Sequence, residues 1–373
     1  MRNSPHPLSV HLGMAAAHVN GMQGYSTKPD VQITQADVIE MVRGIKMYQD
    51  HPFTPDKLPV TTIWKDGGIS VNKPSIEEGE AAAVRGTPLL IVPSLINRGN
   101  ILDISKEQSM LRWLRHNGID AYLLDWGDMD SVEERAMDMD ALIQDKLQKS
   151  IQSVSKLTGE KIDVMGYCMG GTLLVSGYPC FKDHIRRMVL LAAPWDFHVE
   201  PSDLYKNVRV LSSLVLPEIR QRGVLPADWM QSLFIAVDPK GSSQKFIRFS
   251  LMDQSSLEAK LFVSVEDWLN DGVDLPGNVA QECIERWFVG NELFLNKSKM
   301  IKSCDKLSDL DVLVIASEND AIIPYESALG VTSALSGARN VKVITPVCGH
   351  IGLIIGSKAK ESVWKPVLNW LKS

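Results

Sequence analysis

Six consecutive residues, Gly166-Tyr167-Cys168-Met169-Gly170-Gly171, place a thiol among glycines where an apolar run meets a helix-compatible one. Ahead of them Lys161-Ile162-Asp163-Val164-Met165 reads as a short strand, and Thr172-Leu173-Leu174-Val175 continues with helical spacing. Small residues at Gly166 and Gly170 permit a sharp turn, which would hold Cys168 strained and exposed at the end of the strand. Cysteine is often a small buried hydrophobe, but three glycines in this pattern mark a nucleophile elbow. A cysteine nucleophile needs a base to take its proton and a third group to orient that base. A thiolate that accepts an acyl group holds it as a thioester, which suits exchange with other thiols.

Where such an elbow ends a strand of a parallel sheet, the chain order is nucleophile, acid, histidine, each at a strand's carboxyl end. Of eight histidines, His6, His11, His18 and His51 precede the expected sheet, His116 and His184 lie on polar segments, and His198 follows too early. His350, in Cys348-Gly349-His350-Ile351-Gly352, comes after the last apolar strand and is flanked by glycines, so it is the candidate base. The acid should follow the strand near 311–316, where Glu318 and Asp320 both stand. Asp320 directly precedes Ala321-Ile322-Ile323-Pro324 and is preferred, with Glu318 left to solvent; an Asp at such a turn can also be a helix N-cap. Backbone N–H groups would stabilise an oxyanion: Met169 after the nucleophile, and Leu95 or Ile96 in Pro93-Ser94-Leu95-Ile96-Asn97-Arg98.

The elements needed to bring these groups together are legible as alternation. A helical stretch covers Gln35-Ala36-Asp37-Val38-Ile39-Glu40-Met41-Val42 and is broken by Pro52, Pro55 and Pro59. Strands are expected at Val60-Thr61-Thr62-Ile63-Trp64 and at Pro88-Leu89-Leu90-Ile91-Val92, the latter apolar throughout, as a strand covered on both faces would be. A helix opened by a capping box at Ser105-Lys106-Glu107-Gln108 and closed by Gly118 follows. Next come a strand at Ala121-Tyr122-Leu123-Leu124, a helical segment near 131–157, the elbow strand, and a strand at Met188-Val189-Leu190-Leu191. This order predicts a parallel sheet with right-handed crossovers. After Pro194 the alternation stops; residues 196–295 read as helices with exposed-looking Trp229, Phe234, Trp268 and Trp287. Strands resume at Asp311-Val312-Leu313-Val314-Ile315 and Val341-Lys342-Val343-Ile344, and an amphipathic helix from Lys358 to Lys372 turns Val363, Val367 and Trp370 to one side. The pattern is that of an α/β-hydrolase fold with a helical cap inserted after the sixth strand. The expected division is an N-terminal helical segment 1–59, a core of 60–195 with 296–373, and a cap of 196–295.

Bulk properties narrow the rest. The chain has 373 residues, enough for one such domain and an insertion, and a net charge of −6 gives no basic footprint for nucleic acid. Five cysteines, at 168, 180, 283, 304 and 348, form no CxxC pair, which predicts reduced thiols in a cytoplasm, with no zinc or other metal site. No secretory signal is read at the start, and no apolar run reaches the roughly 18–20 residues of a membrane span.

With these residues in place, the sequence resembles the polyhydroxyalkanoate synthases and their close α/β-hydrolase relatives. The likeness runs from about Pro88 to Gly356. It is carried by Pro88 to Arg98, Ile101-Leu102-Asp103, Tyr122-Leu123-Leu124-Asp125-Trp126-Gly127, the elbow with Thr172-Leu173, Ala193-Pro194-Trp195-Asp196-Phe197, and Gly349-His350-Ile351-Gly352. Dienelactone hydrolases share an elbow of this type, but they are shorter and lack the other segments. The resemblance implies that Cys168 takes the acyl group of a 3-hydroxyacyl-coenzyme A, that His350 activates it, and that Asp320 orients His350 or helps activate the incoming hydroxyl. Repeated transfer to the hydroxyl of a growing polyester would release coenzyme A as the substrate's leaving group, with no cofactor. Trp126 is expected simply to pack at a strand end. The length and the Asp-Trp-Gly segment look closer to the short form, which works with a second synthase subunit. The segment Glu266-Asp267-Trp268-Leu269-Asn270-Asp271-Gly272 departs from the Trp-Asn-x-Asp stretch of the large enzymes. A homodimer, a second subunit and the surface of a polyester granule in the cytoplasm are the partners and place this resemblance implies. Two other readings stand beside it: a cysteine-triad hydrolase (thioesterase, esterase or lactone-opening enzyme), and a non-catalytic granule protein, against which the complete Cys168, Asp320 and His350 set argues.

Overall fold

Eight stretches of the chain pair into one sheet in a computed structural model that describes residues 2–19, 34–75, 86–200, 202–297 and 310–373. They are β1 (Val60–Asp66), β2 (Ile69–Pro74), β3 (Thr87–Val92), β4 (Ile119–Asp125), β5 (Ile162–Tyr167), β6 (Ile185–Leu191), β7 (Asp311–Ile315) and β8 (Asn340–Ile344). Their order is β1-β2-β4-β3-β5-β6-β7-β8; β2 is antiparallel to both neighbours, and the pairs from β4 to β8 are parallel. This is the α/β-hydrolase fold. Every residue of β5 and all but the first of β3 are buried, because helices cover both faces of the central strands. β8, with an outer edge, is largely exposed.

The chain runs from β3 outward to β4 and then crosses back to β5 on the other side of β3. That reversal opens a crevice at the carboxyl ends of β3 and β5, where open parallel sheets bind ligands. The loops leaving β3, β5, β7 and β8 all start from this edge, since the strands are parallel. They carry Leu95 and Ile96, Cys168, Asp320, and His350.

Three local expectations are corrected. β2 went unread, because Asn72 and Lys73 interrupt its apolar run. The helix after β3 begins later than the Ser105 capping box: Ser105 Oγ only accepts the Gln108 N–H at 3.1 Å in a turn, and the helix Met110–His116 is capped by Ser109. Trp268 and Trp287 are buried and Trp229 and Phe234 half-buried, so these four aromatics of the insertion are not an exposed set.

The described chain divides into two compact units, Met1–Lys57 with Pro226–Gly272, and Leu58–Leu225 with Val273–Ser373. The division cuts across the expected 196–295 insertion and joins its middle to the N-terminal segment. In the smaller unit the helix Gln35–Asp50, closed at its start by a Thr34–Asp37 capping box, packs Met41, Ile45 and Tyr48 against Phe246, Phe249, Ala259 and Val263. The helix Gln35–Asp50 and the helix Pro239–Leu251 each turn an apolar face to the other, which is the physical reason distant segments combine. Within the described residues no helix is long and apolar enough to cross a membrane. Cys304 lies outside the described residues; Cys168, Cys180, Cys283 and Cys348 are free thiols.

Candidate active site

The elbow forms where β5 ends. Cys168 has φ 54° and ψ −128°, a conformation that costs a non-glycine residue roughly 1–3 kcal/mol. Its N–H donates to Leu191 O of β6 at 2.9 Å, extending the sheet ladder by one rung and holding the strained residue in place. A Cβ on Gly170 would lie 2.1 Å from Val92 O and 2.6 Å from Pro93 O, so the helix Met169–Phe181 can approach the end of β3 only with glycine there. Gly166 meets the same restriction against the Gly171 backbone. The expectation that the thiol stands exposed needs revising: Cys168 is 6% exposed, enclosed beneath the loops that surround the elbow.

Asp320 lies five residues beyond β7. Its Oδ1 accepts the N–H groups of Ile322 and Ile323 at 2.9 and 2.8 Å, and its Oδ2 meets Nδ1 of His350 at 2.6 Å. Its carboxyl is completely buried, whereas Glu318 is exposed. The His350 side chain is 11% exposed, is hydrogen-bonded to Asp320, and lies near enough to Cys168 for the sulfur to act on its charge. Burial pushes this imidazole toward its neutral form. The Asp320 carboxylate and Cys168, on its two sides, outweigh that and raise its pKa from 6.5 to about 10.

The loop after β3 is pinned by Trp126, whose indole N–H donates to Pro93 O at 3.1 Å; the tryptophan thus does more than pack. Within that loop the Ile96 N–H is directed to Ser94 Oγ at 3.4 Å, while Leu95 is buried.

Two residues that motif reasoning gave no role also meet here. The Ser317 hydroxyl sits between the carbonyls of Pro346 and Cys348 and accepts the Cys348 N–H at 3.1 Å, tying the acid loop to the histidine loop. Tyr167 stacks on the His350 ring with centroids 5.0 Å apart. A serine directly after a strand is too common to stand out in a sequence. The tyrosine was visible inside the elbow, but its partner lies 183 residues away.

A buried acid–imidazole pair close to a cysteine at a strained strand end is an arrangement for nucleophilic acyl chemistry. No family model matches the chain. Individual proteins do. A poly(3-hydroxyalkanoate) polymerase subunit PhaC of Haloarcula marismortui is 28% identical over 295 residues, 76% of this chain and 60% of the relative. This chain is similar to the poly(3-hydroxyalkanoate) polymerases. The same named subunit of Haloferax mediterranei is 28% identical over 84% of this chain and 64% of the relative, so the chain spans about three-fifths of these two proteins. That of Allochromatium vinosum is 25% identical over 319 residues, 84% of this chain and 88% of the relative. Among solved structures, the thioesterase domain from the curacin biosynthetic pathway aligns with a TM-score of 0.48 at 11% identity, over 85% of this chain and all of that domain. An esterase from Thermogutta terrifontis aligns with a TM-score of 0.47 at 15% identity, over 86% of this chain and 98% of the esterase.

Proposed function

We propose that this protein is a polyhydroxyalkanoate synthase-like acyltransferase that moves 3-hydroxyacyl groups from coenzyme A thioesters to a growing polyester through an acyl-Cys168 intermediate. One observation carries the reading: the imidazole that the buried Asp320 holds at Nδ1 is also under the electrostatic influence of the strained cysteine at the elbow. The names of the similar proteins support the substrate class.

In this mechanism the Cys168 thiolate attacks the thioester carbonyl. The carbonyl oxygen takes the negative charge against the N–H of Met169, first residue of the helix Met169–Phe181, and the N–H of Leu95; Ile96 is the lesser candidate because Ser94 engages it. The carbon–sulfur bond to coenzyme A breaks, and the departing thiolate takes the proton of the His350 imidazolium. The hydroxyl at the end of the polyester then gives its proton to His350 as its oxygen attacks the acyl-cysteine. An ester bond forms and the Cys168 thiolate returns. Asp320 keeps the second nitrogen of His350 protonated in both halves of the cycle. No metal or cofactor is called for. The similar proteins are named as subunits, and we extend this to action with a second copy or a second synthase subunit at a cytoplasmic polyester granule.

The test is incubation with 3-hydroxybutyryl-coenzyme A, following thiol release and separating polymer from free 3-hydroxybutyrate. Polymer that disappears in Cys168→Ala is the expected result. Free acid as the sole product would replace transfer by hydrolysis, since only the resolving nucleophile differs. Absence of thiol release from both acyl thioesters and oxygen esters would leave a non-catalytic role.

A further inference from the structure

Asp320 grips His350 at a single atom, Nδ1, which by itself leaves the ring free to swing about that contact. The main chain around the histidine is equally unconstrained in sequence terms, since Gly349 and Gly352 flank it. The His350 carbonyl also accepts the Leu353 N–H at 3.3 Å, and Tyr167 adds a constraint to both ring and backbone. Its ring lies against the imidazole with centroids 5.0 Å apart and planes inclined by 22°, and its hydroxyl donates to the His350 carbonyl at 3.3 Å. Tyr167 is itself buried, and burial foremost, with Cys168, Asp320 and Cys348 adding to it, raises its pKa well above the ordinary value. The phenol therefore stays neutral and remains a donor.

We propose that Tyr167 is the positioning residue for His350: its ring fixes the plane of the imidazole and its hydroxyl fixes the backbone that carries it. The proposal rests on the acyl-cysteine reading of the site. Because Tyr167 and Cys168 are adjacent at the rigid end of β5, the sulfur and the surface that orients its base are set by one strand end. A misplacement of the reacting groups by about 1 Å can cost on the order of a hundredfold in rate. An anchor on the same strand end minimises such error.

The experiment uses alkylation of Cys168 by iodoacetamide across pH 5 to 10, roughly the range in which His and Cys titrate, so no acyl substrate is involved. Wild type, Y167F, Y167L, H350Q and the double variant Y167L/H350Q are compared, with thermal melts reporting folding. Y167F keeps the ring and loses one neutral hydrogen bond, so its rate should fall by roughly threefold. Y167L should fall by about tenfold or more and change the shape of the pH profile. In the H350Q background the same leucine substitution should have no further effect, because the tyrosine acts only through the imidazole. If Y167L melts early, Y167M, which also removes the ring, takes its place. A ring-less, folded variant with wild-type rate and profile would overturn the proposal, as would an equal loss with and without His350. Alkylation equally fast in H350Q and wild type would remove the Cys–His reading and this inference with it. Fast, His350-dependent alkylation without turnover of hydroxyacyl-coenzyme A would sink only the proposed substrate.

Discussion

Changing Asp320 to asparagine removes one charge at nearly constant shape, and the structure sets the size of the effect. The amide oxygen can keep the two turn hydrogen bonds from Ile322 and Ile323, which leaves the amide nitrogen facing Nδ1 of His350. The imidazole must then offer a lone pair at Nδ1 and carry its proton at Nε2, the wrong tautomer for a base. In energy, the rise of His350 from 6.5 to about 10 is about 3.5 units, or about 5 kcal/mol in favour of the imidazolium after burial has been overcome. Asp320 is the largest of the favouring influences, and Cys168 remains in the variant. Loss of the carboxylate should therefore lower the His350 pKa. The assay is an NMR titration of the histidine Cε1–H resonances, with H350Q identifying the relevant one. Thiol release from 3-hydroxybutyryl-coenzyme A should fall by on the order of a hundredfold or more alongside it. A His350 resonance in folded D320N that titrates within about one unit of wild type would refute the account of this pair.

Two further outcomes concern the scaffold. In Gly170→Ala the new Cβ would sit 2.1 Å from Val92 O, where ordinary contact starts at 3.4 Å, so the loop after β3 must retreat by about 1.3 Å. A loss of about 3 kcal/mol, at the upper end for overpacking, is expected in denaturant unfolding, and an unchanged midpoint would show that the elbow is looser than described. The second concerns His11, whose pKa burial and the nearby Lys245 lower from 6.5 to about 4. As pH falls from 6.5 toward 4 the unfolded chain takes up a proton that the folded smaller unit refuses. Stability is thus intact above 6.5 and declines below it, by up to about 3 kcal/mol at pH 4. His11→Phe, which can keep the edge contact to Phe246, should flatten that decline relative to wild type in urea midpoints taken at both ends of the window.

The elbow, the order of Cys168, Asp320 and His350, and the alternation leading to an α/β sheet were legible because each depends on neighbours within a few positions. Gly170 had to be small, Asp320 had to precede an apolar turn, and the apolar run Pro88–Val92 had to be covered on both faces. Fold class follows from such spacing, since strands of this length and helices of this period have few ways to bury their faces.

What depended on packing across the chain was not legible. β2 has too mixed a pattern to be recognised without β1 and β4 beside it, and the N-cap at Ser109 is chosen over Ser105 by the Asp103 and Arg112 contacts around it. The joining of residues 1–57 to 226–272 follows from two amphipathic helices that find each other about two hundred positions apart. The same holds for Tyr167 on His350, Ser317 between the two loops, and Trp126 on Pro93. Residue spacing decided which groups could react; only the folded sheet edge decided which side chains hold them still, because that holding is made by contacts for which sequence distance carries no information.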